Sequence, residues 1–205
     1  MSAQRVRLPA EERRAAVLEA ACTIFCRGTY RSTTTAEIAK YAGVTEPVLY
    51  RHFSSKRDLY IACLEEAWSD SRELWDNAVA EEPDSTLWLI AMGTAYLTTK
   101  DRRGQLVHLW LQALAEASDD PEIRKFVRRQ LQDVHRYVAD VMRRSQEAGG
   151  ILPERDVDCE AWVFISLGLL GTVGRRLGGV VGDDFPQIMD ARREWMTGRR
   201  AGDSI

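Results

Sequence analysis

Proline is scarce in this chain of 205 residues, with 6 in all, and no stretch is dominated by Gly, Ser or Pro. That excludes a collagen-like or low-complexity chain. Histidine is scarcer still. His52, His108 and His135 lie far apart, without HExxH, GxSxG or phosphate-loop spacing, so the common hydrolase and nucleotide-binding constellations lack their residues. The four cysteines, Cys22, Cys26, Cys63 and Cys159, form no CxxC pair. Reduced core thiols are the expectation, with no metal site and no cofactor. The longest apolar run, Ala161 to Gly174, has fourteen residues, short of the roughly 20 that span a bilayer. The start, MSAQRVRLPAEERR, is polar and no apolar core follows it. It is not a secretory signal, and a cytoplasmic protein without a membrane partner is expected.

Apolar residues make up 45% of the chain and charged residues 29%, enough for a packed core with a well-charged surface. The net charge is −3, but its distribution is uneven. Residues 1–57 hold ten Arg/Lys and five Asp/Glu, a balance of +5, while residues 58–205 hold 18 and 26, a balance of −8. A basic head on an acidic body suggests that the head alone meets a polyanion.

No segment alternates strictly at two residues; the apolar periodicity is helical throughout. Residues 10–27 place Leu18, Cys22 and Phe25 on one face, with Gly28 just past the last periodic residue, positioned to end the helix. Thr34 and Glu37 form a capping box ahead of a short helix that Gly43 ends. Thr45 can cap the next helix, with Pro47 in its first turn. Ser54 or Ser55 then caps a long helix reaching about Asn77. Further helices are expected at about 85–99, 105–118, 121–148 and 156–178, with a weaker one near 184–197. The fold class is therefore all-α. A three-helix helix-turn-helix domain at 1–57 precedes a helical ligand-binding and dimerisation domain at 58–205.

Two short helices around a glycine turn are common in helical proteins, so geometry alone supports only a helix pair. The residues say more. The string TTAEIAKYAGVTEPVLYRHFSSKRDLY, Thr34 to Tyr60, resembles the DNA-binding domain of the TetR family of regulators. The likeness rests on Thr33-Thr34, Ile38-Ala39, Ala42-Gly43-Val44, Leu49-Tyr50-Arg51-His52-Phe53 and Lys56, in that order and spacing. Two departures stand out: Pro47 where many members have Gly, and an extra residue in the Gly28-Thr29-Tyr30 loop.

The resemblance implies a regulator that reads a double-stranded DNA operator. Thr34 is placed to bind a phosphate at a helix N-terminus. Thr45, Glu46 and Pro47 begin the recognition helix, whose N-terminal residues reach base edges. Glu46 can accept from a cytosine amino group and Pro47 can pack on a thymine methyl. Tyr50 and His52 resemble the family's phosphate contacts, Arg51 suits a phosphate or a guanine, and Lys56 matches a phosphate anchor. Ile38, Ala42, Val44, Leu49 and Phe53 are read as the small core that fixes the two helices.

The body is read for two roles. A homodimer would place two recognition helices about one DNA turn apart. Val134, Val138 and Val141 in one helix, with Leu167, Gly168, Leu170, Gly171 and Gly174 in the next, are the candidate interface, although an intramolecular core explains the same pattern. A small-molecule effector, mostly hydrophobic, is the second role. Its candidate lining is Trp68, Trp88, Met92, Tyr96, Trp110, Leu114 and Phe126, although such stripes more often build plain core. Arg102-Arg103-Gly104, expected in a loop, is the candidate link from body to head. Repression is the family's default sign. Neither an enzyme nor a helical scaffold fits the intact Tyr50, His52 and Lys56 as well.

Overall fold

The computed structural model describes residues 9–98 and 102–199. Every regular element among them is a helix. The chain divides into two compact units, residues 1–69 with 101–127 and residues 70–100 with 128–205.

The first unit begins with α1 (Ala10–Arg27), α2 (Thr35–Tyr41) and α3 (Glu46–Tyr50). It also holds the first half of α4 (Lys56–Glu81), α6 (Arg102–Glu116) and the start of α7 (Pro121–Glu147). Thr34 caps α2 by accepting from the Glu37 N–H at 3.2 Å. Gly43 follows at φ +68°, where a β-carbon would strain the backbone. Ser55 opens α4 by accepting from the Asp58 N–H at 3.0 Å. The turn before α7 is closed by Asp120, which accepts from the Glu122 and Ile123 N–H groups.

These short helices have too little intrinsic stability to stand alone, so packing must hold them. Phe25, Ile38, Leu49, Leu59, Tyr60, Leu64, Leu109 and Ile123 are fully buried in one cluster. Phe25, Tyr30 and Tyr60 meet ring to ring, and the Tyr60 hydroxyl donates to the Leu109 carbonyl at 3.1 Å. The head's loops are also tied to α6 and the turn after it. Gln112 Nε2 donates to the Gly28 carbonyl at 3.0 Å. Arg31 pairs with Glu116 and Asp119, and Arg57 with Asp120.

The second unit holds the rest of α4 and α7 with α5 (Trp88–Thr98), α8 (Val157–Arg176) and α9 (Phe185–Thr197). Asp156 caps α8 by accepting from Asp158 and Cys159 N–H groups at 3.1 Å. Gly198 ends α9 at φ +70°. The core gathers Trp75, Met92, Val138, Val141, Met142, Ile151, Ala161 and Met196. Rings surround Trp75: Tyr96, Tyr137 and Phe164 have centroids 6.0, 5.8 and 6.2 Å away.

Gly28 ends α1 as expected, at φ −115°. The following turn is organised by Thr29 and Ser32, whose side chains and backbone exchange hydrogen bonds. Two local expectations need correction. The Thr45 side chain makes no cap hydrogen bond. The second donor of that helix belongs to Pro47, which has no N–H, and Val48 N–H already donates to the Thr45 carbonyl at 2.9 Å. Arg102, Arg103 and Gly104 open α6 rather than forming a loop; their side chains lie outside the described residues.

Candidate nucleic-acid interface

The turn from Ala42 to Thr45 presents α3 on the outside of the head. Leu49 is fully buried beneath it, with Ile38 and Phe53 alongside. Ala42 and Val44 are partly buried and pack on the same core. Thr34, Thr45, Pro47, Tyr50 and Arg51 are exposed, and Glu46, His52 and Lys56 half-buried. Seen along the helix, burial of Leu49 turns Pro47, Tyr50 and Arg51 outward, while Glu46, three residues before Leu49, stays half-buried at the edge of the core.

One polar chain joins α2 to α3. The Thr35 hydroxyl, on a residue only 8% exposed, donates to Glu46 Oε1 at 2.6 Å. It also lies 3.1 Å from the Tyr50 hydroxyl. A carboxylate only accepts and a threonine has one hydroxyl proton. The chain therefore runs Tyr50 to Thr35 to Glu46, each donating to the next. Sequence reasoning missed Thr35. Its partners lie 11 and 15 residues away, beyond the reach of any helical period.

Lys56 is engaged within the head. Its ammonium donates to the Thr33 carbonyl at 2.8 Å and sits 4.6 Å from the centre of the Tyr30 ring. Burial pushes its pKa down. It thereby holds the loop that carries Thr33 and Thr34. Arg14 lies over the Phe53 ring and Arg27 over the Tyr41 ring, adding positive charge to the head's surface.

The candidate effector residues fall in both units. Trp88, Met92 and Tyr96 belong to the second. Met92 is fully buried, Trp88 Nε1 donates to the Glu82 carbonyl at 2.9 Å, and Tyr96 packs on Trp75. Burial raises the Tyr96 pKa, against a hydrogen bond with Thr172. Trp68, Trp110, Leu114 and Phe126 belong to the first. Phe126 is buried, Trp110 packs on the same core, and Leu114 is exposed. The second unit also contains a cleft of about 40 Å³, lined by Ile90, Met142, Phe164, Leu167, Met189 and Met196 among others. Sequence reasoning named only Leu167 of these, and for another purpose.

The candidate dimer residues separate by face. Val138 and Val141 are fully buried inside the chain, and Gly171 and Gly174 are buried too. Val134, Leu167 and Gly168 are half-buried, and nothing lies within 4 Å of the space beside Gly168. Leu170 is 38% exposed and continues an uncovered apolar line on α8, through Trp162 at 43%, Val173 at 40% and Leu177 just past its end at 68%. The helix has a mean hydropathy of 1.4 over its most apolar window, yet only 28% of that window is buried.

Both halves of the chain are similar to known proteins. Residues 17–63 match the family model of bacterial regulatory proteins of the tetR family. Residues 87–168 match that of the C-terminal domain of BetI-type transcriptional repressors. The chain is 51% identical over 59 residues to the helix-turn-helix transcriptional activator FasR of Mycolicibacterium smegmatis, 29% of this chain and 27% of that protein. The match thus spans about a quarter of the activator's length. It is 29% identical over 160 residues to the regulator TtgR of Pseudomonas putida, 74% of this chain and 76% of that protein. A TetR-family regulator from Cytophaga hutchinsonii shares the fold with a TM-score of 0.79 at 17% identity, over 95% of this chain and all of its own. A regulator-like chain from Saccharomonospora viridis, solved in complex with choline, has a TM-score of 0.71 at 22% identity, over 88% of this chain and 95% of its own.

Proposed function

Because the chain belongs to the TetR family of bacterial transcriptional regulators, we propose that it binds a palindromic operator as a homodimer and leaves it when a small, mostly hydrophobic effector binds. That it is a DNA-binding regulator of transcription follows from the family itself. The finer reading rests on one observation above the others. The exposed residues of α3 stand on a buried Ile38–Leu49–Phe53 core that fixes their direction.

The working division is a head, residues 1–57, and a regulatory body, residues 58–205. In the head, Glu46 and Pro47 read base edges, with Thr45 at the helix start. Thr34, Arg51 and His52 hold phosphates, Tyr50 stands beside them with its hydroxyl proton given to Thr35, and Lys56 acts from the same edge. In the body, α8 supplies the dimer contact through Leu170, Val173 and Leu177, with Gly168 admitting a close neighbour. A partner helix on this face accounts for an apolar helix left mostly uncovered in one chain.

An effector is supported by the apolar linings in the second unit and by the choline complex of the Saccharomonospora relative. The cleft is small beside ordinary ligand pockets of roughly 300 Å³ or more, so binding would have to open it. Repression is the proposed sign, because the model matching residues 87–168 is that of a repressor type. The match to the activator FasR covers only 29% of this chain and so says little of the sign. The head's ties to α6 through Gln112 and Arg31, and to the turn after it through Arg57, would carry a shift of α6 to the recognition helix. Such coupling typically amounts to about 1–3 kcal/mol. A protein with this role works on the chromosome, in the cytoplasm.

The test is selection of duplexes from a random-sequence library by the purified chain. The expected product is a palindrome whose half-site centres lie about one helical turn apart, or a multiple of it. Recovery of no sequence preference would reject specific operator reading.

A further inference from the structure

We infer that Thr35 is a positioning residue for base recognition, holding the Glu46 carboxylate in the orientation that reads one base pair. The inference rests on the proposed role of Glu46 at the DNA and adds a residue to it.

Glu46 begins a five-residue helix on a half-buried site. A carboxylate there faces a polyanion when DNA docks. Left to itself, it would swing away from the phosphates and sample several rotamers. A hydrogen bond from a neutral donor holds such a group without cancelling its charge. Thr35 supplies that bond at 2.6 Å. The donor is itself fixed, since Thr35 starts α2 and is nine-tenths buried. Tyr50 donates to Thr35 from the other side at 3.1 Å, so the Thr35 proton is committed to Glu46.

The arrangement has a chemical consequence. Both Tyr50 and Thr35 spend their protons within the chain, leaving the carboxylate as a pure acceptor aimed from the first turn of α3. The base edge that suits a fixed acceptor in the major groove is an amino group, on cytosine or adenine. A carboxylate whose direction is fixed discriminates; one free to rotate can retreat from a mismatched base at little cost.

The test compares the full-length chain with Thr35→Val, Thr35→Ser and Glu46→Gln by duplex selection from a random library, followed by anisotropy titrations on the winning duplex and on its single-base variants. Circular dichroism melts check folding. Glu46→Gln is expected to erase the preference at one base pair per half-site, about tenfold or more. Thr35→Val should lose most of the same preference at the same position. Thr35→Ser, which keeps the hydroxyl, should restore it. Affinity for a scrambled duplex should stay within about twofold in all three, which a merely structural defect would not allow. If Thr35→Val fails to fold, the Ser variant and the Glu46→Gln position decide between the readings: Ser losing the preference overturns the inference. Thr35→Val keeping a preference that Glu46→Gln removes also overturns it. A Glu46→Gln protein selecting the same duplex as the wild type would instead reject the base-reading role of Glu46 on which the inference stands.

Discussion

Replacing Leu170 and Val173 together by Glu is expected to leave the chain folded but monomeric, and to weaken its binding to a two-half-site duplex by at least about a hundredfold. In one chain both side chains are more than a third exposed, so carboxylates there meet water and cost the monomer little. At a two-fold interface the same change would crowd four carboxylates into an apolar contact, where unpaired charges are heavily penalised. The loss of DNA affinity follows from geometry. A single recognition helix spans few base pairs, and a linked second head converts its binding into an intramolecular event. Light scattering at micromolar concentration checks the mass, and circular dichroism checks the fold. A dimer that persists with full affinity would locate the interface elsewhere.

Leu49→Ala should destabilise the first unit by about 2–5 kcal/mol and remove DNA binding with it. Leu49 is fully buried and is the only buried residue of α3. That helix is five residues long and lacks a side-chain cap, so packing alone sustains it. Whole domains are stable by about 5–15 kcal/mol, which makes this one truncation a large share of the total. Urea denaturation followed by tryptophan fluorescence should show a lower midpoint with little change in slope. A shift worth under about 1 kcal/mol would mean that α3 is held by something other than this contact.

The two results draw on features that were unequally visible in the sequence. Helix limits were legible because their causes are local. Pro121 opens α7, Gly43 closes the turn before α3, and Thr34 caps α2 three residues before its Glu37 partner. The α3 core was legible because Ile38, Leu49 and Phe53 are spaced for it. The Thr45 cap was misjudged: Pro47 removes one of the two donors that such a cap could meet, and the other, the Val48 N–H, goes to the Thr45 carbonyl. Long-range pairings were not legible. Thr35 looks like any residue of a helix start until folding brings Glu46 and Tyr50 to its hydroxyl. The α8 helix is apolar nearly all round, and a helix of that kind does not reveal which side its own chain will cover. Gly171 and Gly174 face inward, whereas Leu170 and Val173 face out. The valines of α7 were equally ambiguous, and two of them, Val138 and Val141, lie in the chain's own core.

The central claim, that the head binds DNA through the exposed side of α3 and its phosphate-facing flank, is tested most directly by the salt dependence of binding to the selected duplex. Log affinity should fall linearly with log salt, by about 0.9 for each phosphate neutralised. Arg51→Ala should make that slope shallower by about 1 for each head. A flat salt response, or an Arg51→Ala protein indistinguishable from the wild type in both affinity and slope, would contradict it.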